Sequence, residues 1–201
     1  MNNYIEVIRE AFLFFPLIAF LISIPFILLQ YHKYGSISVL KSLIIYSFVL
    51  YLICAYFLVI LPLPSIEEVQ NLTTKTTQLI PFSFVIDFIK ETSFNIKIPS
   101  TYVKTLSESY FYVPIYNIFL TLPFGMYLRY YYKCSLKKCT IITFFLSLFF
   151  ELTQLTGLYF LYEKPYRCFD VDDLILNTSG GILGYLLFYI INKVRRKWNG
   201  A

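Results

Sequence analysis

The sequence predicts an all-α polytopic helical membrane protein with about five transmembrane helices, its N-terminus outside and its C-terminus cytoplasmic. Three observations predict this class. Of 201 residues, 58% are hydrophobic and only 14% are charged, where an ordinary soluble domain carries about 25% charged residues. The mean hydropathy is +0.64. Five apolar stretches are each long enough to cross a hydrocarbon core, which takes about 20 residues of helix. This composition excludes a disordered chain, a soluble enzyme and an ordinary nucleic-acid binder.

The first span runs from about Ala11 to Leu29 and holds no charge. It is too long for the apolar core of a signal peptide, and no small-residue cleavage pattern follows, so it reads as an uncleaved span. The second runs from about Ser42 to Leu61, and Leu61-Pro62-Leu63-Pro64 ends it sharply. An outer loop from 62 to 109 follows, too small and too polar in its middle to be an enzyme domain by itself. Within it Leu79–Ile89, LIPFSFVIDFI, is too short to span. It lies in the headgroup plane or re-enters the bundle. The third span, about Tyr110 to Leu128, contains Pro114 and Pro123, which imply a kinked helix. The fourth, about Ile141 to Tyr162, holds Glu151, the single ionisable acid within a span. The fifth runs from about Leu174 to Ile191.

Charge sets the orientation. The formal net charge of +5 divides unevenly between the two sides. One side carries Lys33, Lys41, Arg129, Lys133, Lys137, Lys138, Lys193, Arg195, Arg196 and Lys197, ten basic residues and no acid. The other carries seven basic residues and eleven acids, Glu6 among them. Short loops rich in Lys and Arg stay in the cytoplasm. The basic side is therefore the inner one, where it meets anionic lipid, and the loops at 62–109 and before the fifth span are extracellular.

Cysteine and histidine narrow the chemistry. Cys134 and Cys139 fall on the reducing side, Cys54 lies in a span and Cys168 is alone outside, so no disulfide within one chain is expected. Cys134 and Cys139 have no partner pair or histidine for a zinc site. The single histidine, His32, is cytoplasmic, which excludes a Ser-His-Asp triad or a His-ligated zinc centre at the outer face.

The informative segment is Ser147 to Tyr185. Glu151 is placed near the middle of span four, where an ionised carboxylate costs about 2.5–3.5 kcal/mol and marks a functional site by default. Gln154 shares its helix face. Arg167 is the nearest cation to the acids Asp170, Asp172 and Asp173, which open span five. Asp170, Asp173, Asn177, Gly180 or Gly181, and Gly184 recur at three- and four-residue steps and form one stripe down that helix. Gly180 and Gly184 make a GxxxG pair that admits a close neighbour. Span four is the expected neighbour, because a short loop joins the two, and Glu151 and Gln154 would then face Asp173 and Asn177. Asn117 on span three completes the candidate site. Plain structural roles stand beside these. Asp170 is a good N-cap, and Asp172 and Asp173 complement the helix dipole. Gln154 and Asn177 serve as interhelical glue worth about 0.6 kcal/mol each, the glycines serve packing, and Arg167 serves as an ordinary ion-pair partner.

At these residues the chain resembles the VanZ family of bacterial membrane proteins: Glu151 and Gln154, then Arg167, Asp170, Asp172-Asp173, Asn177, Gly180 and Gly184. The resemblance extends to QYHKYGS, YSFVLYLICAYFLVILPLP, NIFLTLPFG and LRYYY, as in members with an extra N-terminal span. It implies a single integral membrane domain over 1–201, with the extra span at 11–29 and the family core at about 42–192. It also implies a multi-pass protein of the bacterial cytoplasmic membrane, and a link to teicoplanin resistance.

Three functions are open. The first is an envelope protein that lowers susceptibility to teicoplanin-type lipoglycopeptides by altering or shielding the outer-leaflet target. Its partners would be membrane lipid and a lipid-linked cell-wall precursor or the lipoglycopeptide, with no nucleic acid. The second is a membrane-embedded enzyme on a lipid-linked or amphipathic substrate. Either a divalent cation such as Mg²⁺ would sit on Glu151, Asp170 and Asp173, or a desolvated Glu151 would act as general acid or base with Arg167 on a phosphate. The third is a small transporter or assembly partner, which a native mass would test. The oligomeric state is open.

Overall fold

The structure is a computed structural model that describes residues 2–35, 38–73 and 75–199, with the side chains of 2–6, 33, 34 and 199 outside the description. Glu6 and Lys33 of the charge count above therefore lie outside the described side chains. Among the described residues five helices are long and apolar enough to cross a membrane: Val7–His32, Val39–Ile60, Ser109–Tyr130, Leu136–Leu155 and Val171–Trp198. The chain is an all-α, multi-pass membrane protein, as the apolar stretches predict.

The chain forms two compact units, Met1–Ser65 and Ile66–Ala201. The first is a pair of antiparallel helices, α1 (Asn2–Tyr34) and α2 (Val39–Ile60). Phe14 meets Phe57 edge-on with ring centroids 5.8 Å apart, and the Ser23 hydroxyl lies 2.7 Å from the Tyr46 hydroxyl. At the turn the Ser38 N–H donates to Gln30 Oε1 at 2.9 Å, and Ser38 caps α2. The helix stops at Ile60, just ahead of Pro62, where the ring removes a donor and blocks a further turn.

In the second unit the segment between spans two and three is folded. It contains α3 (Ile66–Asn71), the two-residue strand β1 (Thr77–Gln78), α4 (Ser83–Glu91) and α5 (Ser100–Thr105). The spans are α6 (Ser109–Tyr130), α7 (Leu136–Leu155) and α9 (Val171–Asn199); between the last two lie the single turn α8 (Gly157–Phe160) and β2 (Phe169–Asp170). β1 and β2 pair in parallel, Thr77 with Phe169 and Gln78 with Asp170, which ties the segment between the second and third spans to the start of the last one. Val69 of α3 packs with Tyr162 and Tyr166, and the Lys164 ammonium donates to the Gln70 carbonyl at 3.1 Å. α9 packs on both α6 and α7, most extensively on α6.

Two expectations need correction. Span four was expected to reach Tyr162, but α7 ends at Leu155. Gly157 adopts φ +60°, and Leu158, Tyr159 and Phe160 also take positive φ, so the chain leaves the helix in a left-handed turn. A Cβ on Gly157 would strike the carbonyls of Tyr162 and Lys164. Glu151 is therefore in the last turn and a half of its helix, and the returning loop buries it. The second correction concerns Gly180 and Gly184. Their open faces meet α6: Gly180 lies against the Ile118 carbonyl and Thr121, and Gly184 against the Leu122 carbonyl. It is Gly181 that admits α7, at Thr143. Short connection favoured α7 as the close neighbour, but α6 brings its own small residue, Gly125, against the Gly181 backbone.

Candidate functional site

The polar residues converge where α7 ends and α9 begins. Glu151 is buried, and its Oε2 accepts the Asp170 backbone N–H at 2.9 Å. Asp170 in turn caps α9, its Oδ1 accepting the Asp172 N–H at 2.8 Å, the bond that Asp at this position is favoured to make. The Gln78 amide donates to the same oxygen at 3.4 Å and to Ser83 Oγ at 2.5 Å. One short chain of contacts thus links α7, the start of α9 and the segment before α4.

Asp172, the residue expected to complement the dipole of its own helix, is turned to another. It is 2% exposed and accepts from the Phe82 N–H at 2.5 Å, the Ser83 hydroxyl at 2.8 Å and the Phe84 N–H at 2.9 Å. The two N–H groups belong to the unpaired backbone donors at the N-terminus of α4. Phe82 holds φ +62°, a region uncommon for a side chain of this size, under the Asp172 clamp.

Asp173 faces α6, where Asn117 Nδ2 donates to its Oδ1. Asn117 is thereby tied to the first turn of α9. One turn deeper, Asn177 Nδ2 donates to Ser147 Oγ at 2.9 Å, and the Asn177 carbonyl accepts from Thr121 Oγ1 at 2.5 Å. The partner of Asn177 on α7 is thus Ser147, one turn before Glu151. Gln154 is buried on the same helix, at 5% exposure. Arg167 interacts electrostatically with both Glu151 and Asp173 and is the cation of the cluster.

Burial pushes the Asp170 carboxyl up from its ordinary value. The nearby charges of Asp172 and Asp87 add to this, and the Asp172 N–H and Gln78 amide oppose it. Glu108, at the start of α6, is held below its ordinary value by the Ser93 hydroxyl and N–H, 2.6 and 2.8 Å away.

A cleft of about 300 Å³ opens between α4, α6 and the start of α9. Ser83, Asp87, Asp170 and Asp173 line its polar part, and Val113, Pro114 and Leu176 its apolar part. Among the described residues no three His, Cys, Asp or Glu side chains are gathered as metal ligands. Of the three acids named above as a possible donor set, Glu151 Oε2 holds the Asp170 N–H, Asp170 Oδ1 the Asp172 N–H and Asp173 Oδ1 the Asn117 amide. The cleft thus has one acidic and one apolar wall.

Ser147, Ser83, Gln78 and Asp87 were missed in the sequence. Ser147 was within reach of periodicity, since it lies four residues before Glu151 on one helix face. Asp87 stood out as the lone charge in LIPFSFVIDFI. Nothing local marks Gln78 or Ser83, whose partners lie about ninety residues further along the chain.

No curated protein and no solved structure matches this chain. A family model described as VanZ/LLP1 matches residues 48–192, from the first half of α2 to near the end of α9. That interval covers well over half of the sequence and contains every residue of the polar cluster, and the chain belongs to the VanZ/LLP1 family.

Proposed function

We propose that this protein acts in the bacterial cytoplasmic membrane with its polar cluster facing outward, and lowers susceptibility to teicoplanin-type lipoglycopeptides by engaging their outer-leaflet target. The cleft between α4, α6 and α9 carries this reading, because its acidic and apolar walls suit an amphipathic ligand. It lies at the end of the helices opposite Arg129, Lys137, Lys138 and the run Lys193–Lys197, whose charge favours the cytoplasm. Family membership supports it further. The test is deletion of the gene and complementation with wild type or Asp173→Asn at matched protein level. Deletion lowers the inhibitory concentration of teicoplanin, wild type restores it, and Asp173→Asn does not. Unchanged susceptibility to both teicoplanin and vancomycin on deletion and overexpression would sink the reading.

The burial of Glu151 beside Arg167 favours a second reading, a membrane-embedded enzyme acting on a lipid-linked substrate. Glu151 would serve as general acid or base and Arg167 would hold a phosphate. Glu151→Gln would then change the envelope lipid profile read by mass spectrometry. An identical profile at full expression argues against it.

A further inference from the structure

The polarity of α4 is inverted for a helix on a water-bathed surface. Such a helix turns its apolar side inward and its polar side out. Here Ser83 and Asp87 line the cleft, while Phe82, Val85, Ile86 and Ile89 point away from the protein with exposures of 58, 43, 49 and 71%. The neighbouring Leu79 and Ile80 are also exposed.

Two further observations say what covers this face. Backbone groups within a membrane must be satisfied by protein, since lipid offers no donors or acceptors. The Phe82 and Phe84 N–H groups are taken by Asp172, the Val85 N–H by the Phe82 carbonyl, and the Phe88 carbonyl accepts both the Thr92 N–H and its hydroxyl. The helix also rests on one long and apolar enough to cross the membrane. α4 packs on α6, with Phe88 and Phe111 ring centroids 6.1 Å apart, and the outward residues Tyr112, Tyr116 and Phe119 of that span are themselves exposed.

We propose that α4 is a re-entrant helix inserted in the leaflet at the cleft end of the bundle. Phe82, Val85, Ile86 and Ile89 lie against acyl chains, and the helix forms the wall between the cleft and the lipid. Insertion is shallow. The stretch of α9 from Val171 to Asn192 is roughly 33 Å long, against a core of about 30 Å. α4 is bound to the second residue of that helix and to the third residue of α6, which places it at the edge of the core, where helices lie with their apolar face about 5–10 Å into the headgroup and acyl boundary. This holds whichever activity the cleft serves.

The single tryptophan, Trp198, makes a direct test available. In a Trp198→Phe background, Val85→Trp, Ile86→Trp and Ile89→Trp are each reconstituted into phosphatidylcholine bilayers. The lipids are brominated either near the headgroup end or near the methyl end of the acyl chain. The expected result is loss of fluorescence with bromine near the headgroup end, a smaller loss with bromine near the methyl end, and little loss with aqueous iodide. Stronger quenching by iodide than by either lipid places the face in water and overturns the proposal. Insensitivity to all three quenchers places it under protein and overturns it equally. Three positions on one exposed face keep the test decisive if one variant fails to assemble.

Discussion

Asp172 belongs to two helices at once: its backbone is in the first turn of α9, and its carboxylate closes the N-terminus of α4. Asp172→Ala leaves two backbone N–H groups and a hydroxyl without their acceptor. A lost cap costs about 1–2 kcal/mol, and a buried donor left unpaired about 1–3 kcal/mol. Hydrogen exchange in residues 79–91 is expected to accelerate at least tenfold, about 1.4 kcal/mol, while that of α6 and α7 holds. Asp170 gives a pH signature. Its carboxyl is raised on folding, so the folded state holds the proton more firmly and ionisation works against the fold. Stability contributed through this group rises as pH falls from above the raised value toward the unfolded value of about 3.9. Asp170→Asn keeps the oxygen that accepts the Asp172 N–H and is expected to flatten that part of the profile, read as the unfolding midpoint against pH in detergent. Glu108 has the opposite sign: its lowered carboxyl stabilises the fold above the unfolded value, and that contribution is lost as pH falls through the folded one. Of these residue roles, the cap by Asp170 was legible, since one position of the right type before a helix suffices. The Asp172 role was not, because the group it closes lies some ninety residues earlier.

Among the elements, the contact of α6 with α9 sets the closest approach. A Cβ added at Gly184 or Gly180 meets backbone carbonyls of α6, which cannot turn aside as a side chain would. Gly184→Ala is expected to destabilise by about 1–3 kcal/mol or more, measured as a drop in the thermal midpoint of the purified protein and as lower accumulation in membranes. All five spans were legible from apolar length, the second and third to within a few residues, whereas α1 and α9 continue as helix past the apolar stretch into polar residues. The predicted fourth span ran too long because apolar Leu158, Tyr159, Phe160 and Leu161 continue the hydrophobic stretch past the end of α7. Backbone conformation at Gly157 decides that end, and hydropathy does not register it. The glycine pair was legible as a packing device, but its partner was not. Chain proximity pointed to α7, and the complementary small residue, Gly125, sits in α6.

For the molecule as a whole, the division of charge predicts topology. Alkaline phosphatase, active only outside the cytoplasm, is expected to be active when fused after Asn95 and inactive when fused after Asn199. The reverse pattern would place the polar cluster inside and remove the extracellular reading of the cleft. The membrane class was legible from composition alone, because 14% charged residues cannot clothe a soluble surface. The folded segment between the second and third spans was not, since its short helices and two-residue strand draw on contacts with the last span and the turn before it.

The parallel pairing of Thr77–Gln78 with Phe169–Asp170 also has a meaning in time. A ribosome makes about 5–20 residues per second, so the earlier strand waits roughly 5–20 seconds for its mate. During that wait α4 has no carboxylate at its N-terminus and the cleft has only two of its three walls. The cleft is therefore completed only when α9 is in place, and a nascent chain arrested before Asp170 holds Glu151 and Asn117 but lacks the aspartates that bind them and the N-terminus of α4.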